Sequence, residues 1–351
     1  ALHTHADIVR ASFASAGNDH RLGGNEAPPA IVSAFIGSQL SELLDELETS
    51  IKAGKLTPED KTALKLEIGR IPEVLLDNTD RNRTSTFAFT GNKFELRAVG
   101  STANCAVPMT VLNTIVSEQL ESFKVAVDQR IDKGEKKDDA LLKELQKLIT
   151  QSKAIRFEGN GYSDEWVVEA AKRGLSNLKN TPEALEVFNR PEVIELFEKQ
   201  QVLRKEEVHA RVEVELENYI LKLQIEARVL LQMARGTILP AAIDYQSQLL
   251  LNVQSLNDVF GEDAPKYGGA QLELVKQAGA LIQQIHRESL ELDSIHDALE
   301  KLESASEKAK GYAEQMFPSM EALGATCAQL EVTVDDALWP LPKFTELLFT
   351  R

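Results

Sequence analysis

An arginine and a glutamate five residues apart sit in a segment made largely of turn-forming residues, Gly17-Asn18-Asp19-His20-Arg21-Leu22-Gly23-Gly24-Asn25-Glu26-Ala27-Pro28-Pro29. Arg21 offers a planar fork of donors that matches a carboxylate or a phosphate. Glu26, on a Gly/Asn/Pro-rich loop, can serve as a base or as part of a lid. A second block runs from Asp80-Arg81-Asn82-Arg83-Thr84-Ser85 through Phe87 to Arg97. Within it Glu95 and Arg97 are two apart, so in an extended strand both project to one face. That geometry suits a metal-binding carboxylate beside an arginine that holds an acidic substrate.

The elements around these blocks follow from hydrophobic spacing and punctuation. Residues 2–16 read as an amphipathic helix that stops at Gly17-Asn18. Ile31, Phe35, Ile36, Leu40, Leu43, Leu44, Leu47 and Ile51 recur at helical intervals, which predicts a helix from Pro28-Pro29 to about Ala53. Thr57-Pro58-Glu59-Asp60 marks the start of a short helix over about 58–69. Alternation of Phe87, Phe89, Phe94, Leu96 and Val99 around Gly91-Asn92 predicts a two-stranded hairpin. After Pro108 the pattern is helical: 110–132, a charged turn at 133–139, then about 138–152. Ser163 reads as a helix N-cap with Trp166 as its apolar anchor, and the Gly159 to Trp166 turn needs no ligand to explain it. The fold class is α+β, predominantly α.

Farther along, Leu274, Ala278, Leu281, Ile285, Leu292, Ile295, Leu299 and Leu302 step by threes and fours, with Glu288 in the one missing place. This is a seam for an antiparallel helix, expected from about 204–259 with a bend near Pro240 and a turn from Gly261 to Gly269. Trp339-Pro340-Leu341-Pro342 with Phe344, Leu347, Leu348 and Phe349 reads as a tail that docks.

Composition excludes some functions. The 351 residues carry a formal charge of −16, without the basic footprint that nucleic acid or an anionic membrane requires. No apolar run approaches the ~20 residues that span a bilayer, and two cysteines, Cys105 and Cys327, are no disulfide framework. Both read as buried small hydrophobes in a cytoplasmic protein.

The two blocks resemble the glutamine synthetases, and the wording Asn-Asp-His-Arg-Leu-Gly-x-Asn-Glu-Ala-Pro-Pro-Ala is similar to that of their type III branch. Gly100-Ser101-Thr102-Ala103-Asn104 and Val111 to Ile115 continue the likeness, and more weakly so do Thr181 to Phe188, Val193 to Phe197 and Arg211 to Tyr219. The resemblance implies an ATP-dependent ligase that joins ammonia to L-glutamate through γ-glutamyl phosphate, with magnesium or manganese, in a ring-shaped homo-oligomer, by resemblance a dodecamer, with active sites between subunits. It implies that Arg21 and Arg97 grip glutamate and that Glu26 covers the site and deprotonates ammonium. Arg83 would face the transferring phosphate, and Glu95 would bind metal. Lys93 stands where better-known branches carry an arginine near the nucleotide, and Ala88 where they carry a phosphate-contacting arginine. The implied organisation is a catalytic part over 1–222, with helical insertions at about 36–70 and 123–160, and a helical C-terminal domain over 223–351. Because the resemblance puts Ala1 inside the catalytic domain, downstream of the metal-binding histidine and most metal ligands, the isolated chain is expected to be inactive.

Other readings use the same residues. A γ-glutamyl-amine ligase would alter the ammonium-side loop, whereas Asn25-Glu26-Ala27-Pro28 is intact; a non-catalytic helical assembly module would have lost Glu26, Glu95 or Arg97. His20 reads as loop packing. His3 and His5, two apart on a helix, would face different ways, and His209, His286 and His296 have no metal-like spacing.

Overall fold

In a computed structural model that describes residues 1–22, 30–52, 85–90, 93–100 and 103–348, five consecutive residues, 30–34, are all buried. A buried backbone must find partners for its N–H and C=O groups. This segment finds them on two sides. Its strand β1 (Ala34–Phe35) pairs in parallel with β2 (Phe87–Phe89), in register Ala34 with Phe87 and Phe35 with Ala88. The Phe157 amide donates to the Ala34 carbonyl at 3.0 Å, and the Thr86 hydroxyl to the Ile31 carbonyl at 3.1 Å. The helical spacing read from Ile31, Phe35 and Ile36 is therefore corrected: the segment is extended, and the helix starts only at Ser38 (Ser38–Lys52). The Glu158 carboxylate fixes that transition, accepting from the Ile36 and Gly37 amides at 3.0 and 2.9 Å and from the Ser41 hydroxyl at 2.9 Å.

The expected hairpin is present. β2 pairs antiparallel with β3 (Phe94–Leu96), with Ala88 opposite Glu95, and completes a three-stranded mixed sheet; the other named elements among the described residues are helical. The structure is α+β and predominantly α. The first helix is shorter than expected, Ala6–Ala11, and a separate turn of helix, Ala16–Asp19, contains the Gly17-Asn18 pair read as a stop. Asn18 is tolerated there because its side-chain amide donates to the Phe13 carbonyl and the Ser15 hydroxyl, at 2.8 and 2.7 Å. The helix predicted over 58–69 and the hairpin turn at Gly91-Asn92 lie outside the described residues.

The chain divides into two compact units, Ala1–Glu215 and Leu216–Arg351. The core of the first gathers Ile8 and Val9 with Val111 and Ile115 of helix Ala106–Asp132 and with Leu196 and Phe197 of helix Pro191–Lys199. The turn between helices Ala106–Asp132 and Lys137–Gln151 falls where the charged stretch predicted it. Ser163 caps helix Asp164–Lys172, accepting from the Trp166 amide at 3.2 Å. Trp166 is buried, stacked on Phe157 with ring centroids 3.6 Å apart and with the Arg173 guanidinium 5.4 Å from its ring. Cys105, expected to be buried, is exposed, while Cys327 is buried as expected.

In the second unit, helix Leu239–Phe260 turns through Gly261–Asp263 and packs on helix Ala264–Leu299, the expected hairpin. Helix Phe317–Thr333 packs on the same long helix. Two partners call for an apolar arc wider than one seam. Accordingly Ile282 and Ser289 are buried along with Ala278, Leu281, Ile285, Leu292 and Leu299. Glu288, in the gap of the seam, accepts from the Gln284 side chain at 2.8 Å, which also donates to the Thr326 hydroxyl at 3.1 Å.

Two turns of π-helix, Ala234–Ile238 and Tyr312–Met316, end shortly before Pro240 and Pro318. Proline lacks an N–H and its ring strikes the carbonyl four residues back. Widening the preceding turn removes that clash without ending the helix. In the tail Trp339 is buried and the Lys343 ammonium pairs with Asp336. Leu347 and Leu348 are exposed, so the docking expected of them falls to Trp339.

Leu292, 0% exposed, and Leu290, 55% exposed, lie on opposite sides of the long helix. Leu292→Ala should lower the unfolding free energy by about 2–5 kcal/mol. Leu290→Ala should stay within about 0.5 kcal/mol. Urea denaturation followed by circular dichroism would show the contrast, and equal losses would contradict this packing.

Candidate functional site

Strand β3 carries the most complete part of the site. Alternation sends Phe94 and Leu96 to one face, where Phe94 stacks on Phe87 with centroids 5.0 Å apart and Leu96 meets the core. Lys93, Glu95 and Arg97 take the other face, as the two-residue spacing predicted. The Lys93 ammonium lies 3.1 Å from Glu95 Oε1, and Arg97 Nη2 lies 3.4 Å from Glu95 Oε2. Exposure falls along the row, 65% for Lys93, 37% for Glu95 and 21% for Arg97. The Arg97 amide donates to the Thr86 carbonyl at 2.7 Å, which holds the end of the row against β2. Hydrogen bonding from Lys93 first, with its charge and those of Arg97 adding, holds the Glu95 carboxyl below the usual carboxylate range.

Arg21 is exposed on the turn after helix Ala16–Asp19. Its amide and that of Leu22 both donate to the Asn18 carbonyl at 2.9 Å. The Asn18 side chain reaches the Val99 carbonyl at 3.4 Å, which links this turn to the chain two residues beyond Arg97. Asp19, beside Asn18, accepts from the Thr181 amide and hydroxyl at 3.0 and 2.7 Å. The structure therefore brings Lys93, Glu95 and Arg97 into direct contact and ties the Arg21 turn to the same strand end. Glu26 and Arg83 lie outside the described residues.

Asn18, Asp19 and Thr181 were not singled out by sequence. Asn18 and Asp19 entered only as turn formers and as part of the loop wording, and Thr181 only as the start of the weaker Thr181 to Phe188 likeness. A signal existed in Asp19, since an acid at the C-terminal end of a helix opposes the helix dipole and needs another partner.

Glu95 fits one position of a divalent-cation site: it is an ionised, part-exposed carboxylate with oxygen ligands of the kind magnesium or manganese takes. It is a single ligand, and among the described residues no group of three or more His, Cys, Asp and Glu side chains could hold a metal ion. His5 stands 3.6 Å from Glu118, and burial pushes its imidazole pKa down. His209 meets Asn189 at 3.0 Å, and His296 meets the Tyr312 hydroxyl at 3.1 Å.

Residues 140–257 match the glutamine synthetase C-terminal domain family. Over its whole length the chain is 46% identical to a glutamine synthetase of Bacteroides fragilis (strain YCH46), covering 48% of that protein. It is 35% identical to a type-3 glutamine synthetase of Dictyostelium discoideum, covering 47% of it, and 32% identical to a glutamine synthetase of Butyrivibrio fibrisolvens, covering 49%. The chain spans about half the length of the curated relatives it matches. The strand row and the Arg21 turn lie outside the family match and inside the full-length similarity.

Because the Glu95 pKa is depressed, its pairing stabilises the fold above the ordinary carboxylate pKa and ceases to do so as pH falls through the lowered folded value. Lys93→Met should move the Glu95 titration midpoint back up toward the ordinary value, as read by carbon-detected NMR of labelled glutamate carboxyls. An unmoved midpoint would show that Lys93 does not hold the carboxylate.

Proposed function

We propose, on the premise that the chain is related along its whole length to the glutamine synthetases, the type III branch among them, that it forms the later half of a glutamate–ammonia ligase. The observation that carries this is the strand face on which an ionised Glu95 stands between Lys93 and Arg97.

In this reading Arg97 and Arg21 bind glutamate through its carboxylates, each with a bidentate fork. Arg83 faces the phosphoryl group as it passes from ATP to the glutamate side chain, compensating charge on the equatorial oxygens. Lys93 lies toward the nucleotide as a point charge. Glu26 removes a proton from ammonium, so that ammonia attacks the acyl phosphate and phosphate leaves. Glu95 contributes one ligand to bound magnesium or manganese, which supplies Lewis-acid screening of the carboxylate and triphosphate. One carboxylate does not organise such an ion, and the family resemblance puts most of the other ligands in chain outside these 351 residues, so in this reading the isolated chain makes no glutamine.

The intact Asn25-Glu26-Ala27-Pro28 loop supports ammonia over a larger amine. No described helix is long and apolar enough to cross a membrane. A ring-shaped homo-oligomer in the cytoplasm, a dodecamer by the same resemblance, completes the reading.

The test uses a ligase in which this chain is joined to the rest of the length its relatives have. Glu26→Ala should lower kcat about 10²–10⁴-fold while the KM for glutamate stays close to normal. Turnover near that of the parent would remove Glu26 from the ammonium side. The 351-residue chain assayed alone with glutamate, ammonia, ATP and magnesium should give no glutamine above background, and measurable synthesis would overturn the division of ligands.

A further inference from the structure

The turn that carries Arg21 is held from a distant part of the chain. Both oxygens of the Asp19 carboxylate are engaged by Thr181, through its amide at 3.0 Å and its hydroxyl at 2.7 Å, across 162 positions of sequence. Thr181 is itself fixed. It is buried at the start of helix Thr181–Leu185, whose Asn180 cap accepts from the Glu183 amide at 2.9 Å. Arg10, buried in helix Ala6–Ala11, donates through Nε to the Leu178 carbonyl at 3.0 Å, three residues before Thr181, and lies 5.3 Å over the Phe13 ring.

Asp19 and Arg10 are each unfavourable alone. Asp19 puts negative charge at the C-terminal end of a helix. Arg10 Nη1 and Nη2 are buried without a hydrogen-bond partner, which leaves a desolvated cation. Together they compensate: burial pushes the Arg10 pKa down to about 10, and the negative charges of Asp19 and Glu183 work against that shift. A helix of four residues needs no such arrangement to end. His20 and Arg21 come directly after it in the chain.

We propose that Arg10, Asp19 and Thr181 form a positioning cluster that sets the pose of Arg21 toward the substrate carboxylate. The substrate half of this inference rests on the assignment of Arg21 to glutamate above. The clamp acts through the backbone: Thr181 fixes Asp19, Asp19 fixes the end of the helix, and the Asn18 carbonyl fixes the Arg21 and Leu22 amides.

Amide hydrogen exchange on the 351-residue chain reads the clamp without catalysis. Thr181→Val, which keeps shape and loses the hydroxyl, should speed exchange at Arg21 and Leu22 about tenfold, while amides of helix Pro191–Lys199 keep their protection. Thr181→Ser should restore it, and Asp19→Asn should behave as Thr181→Val or more severely. Unchanged protection at Arg21 and Leu22 in both variants, or protection lost equally across the whole unit, would overturn the positioning role. In the complete ligase Thr181→Val should raise the KM for glutamate about tenfold with kcat and the KM for ATP within about twofold, the pattern of binding lost equally in the ground and transition states. Arg21→Lys is the reference. If it raises the glutamate KM and Thr181→Val does not, the cluster does not position Arg21. If exchange quickens and neither variant moves the glutamate KM, the clamp stands and the assignment of Arg21 to glutamate fails.

Discussion

The first unit is organised around the need to satisfy a buried, extended backbone. Residues 30–34 are buried, and their hydrogen bonds come from the β2 strand with the residue before it on one side and Phe157 on the other. That requirement gathers three stretches remote in sequence: the segment after the Arg21 loop, the hairpin with Lys93, Glu95 and Arg97, and the turn before the Trp166 helix. β2 is only three residues long, yet it carries both ladders of the sheet. Ala88 at its centre is wholly buried opposite Glu95.

The chemistry of the strand face follows from its local charge and differs in sign from the chain as a whole. Against a formal charge of −16, this row holds two cations and one carboxylate. Such a face attracts anions at short range within a chain that is acidic as a whole. The graded exposure matters as well. Lys93 is the outer charge on a flexible stem, whereas Arg97 is pinned through its amide to Thr86 and presents its fork from a fixed base.

Much of this was legible in sequence where a single rule applied. Period-two alternation located the hairpin and put Glu95 and Arg97 on one face, and Ser163 announced a helix start that its side chain caps. The misreadings came from places where two rules compete. Ile31, Phe35 and Ile36 fit helical spacing, but a short run buried on every side fits an extended strand equally well, and only its partners decide. Gly17-Asn18 signals a helix end, and here the pair lies inside a short helix because the Asn18 side chain finds Phe13 and Ser15. The Asp19–Thr181 clamp left only the unfavourably placed acid Asp19 as a local hint, and its partner could not be read because the two meet only after the chain has folded.

The two π-turns of the second unit have a consequence for how its helices align. A bond to the fifth rather than the fourth residue takes one extra residue into the turn, and one residue of an α-helix corresponds to about 100° of rotation. The side chains after Ala234–Ile238 and after Tyr312–Met316 thus emerge at an azimuth that an unbroken helix of the same sequence would not give them. Arg235 and Tyr312, inside the widened turns, reach Ser289 and Glu300 on the long helix and at its end. Each proline thereby acts as a phase setter: losing one residue within the wide turn would rotate everything downstream, carrying the apolar side of Leu239–Phe260 or Phe317–Thr333 away from the helix it covers.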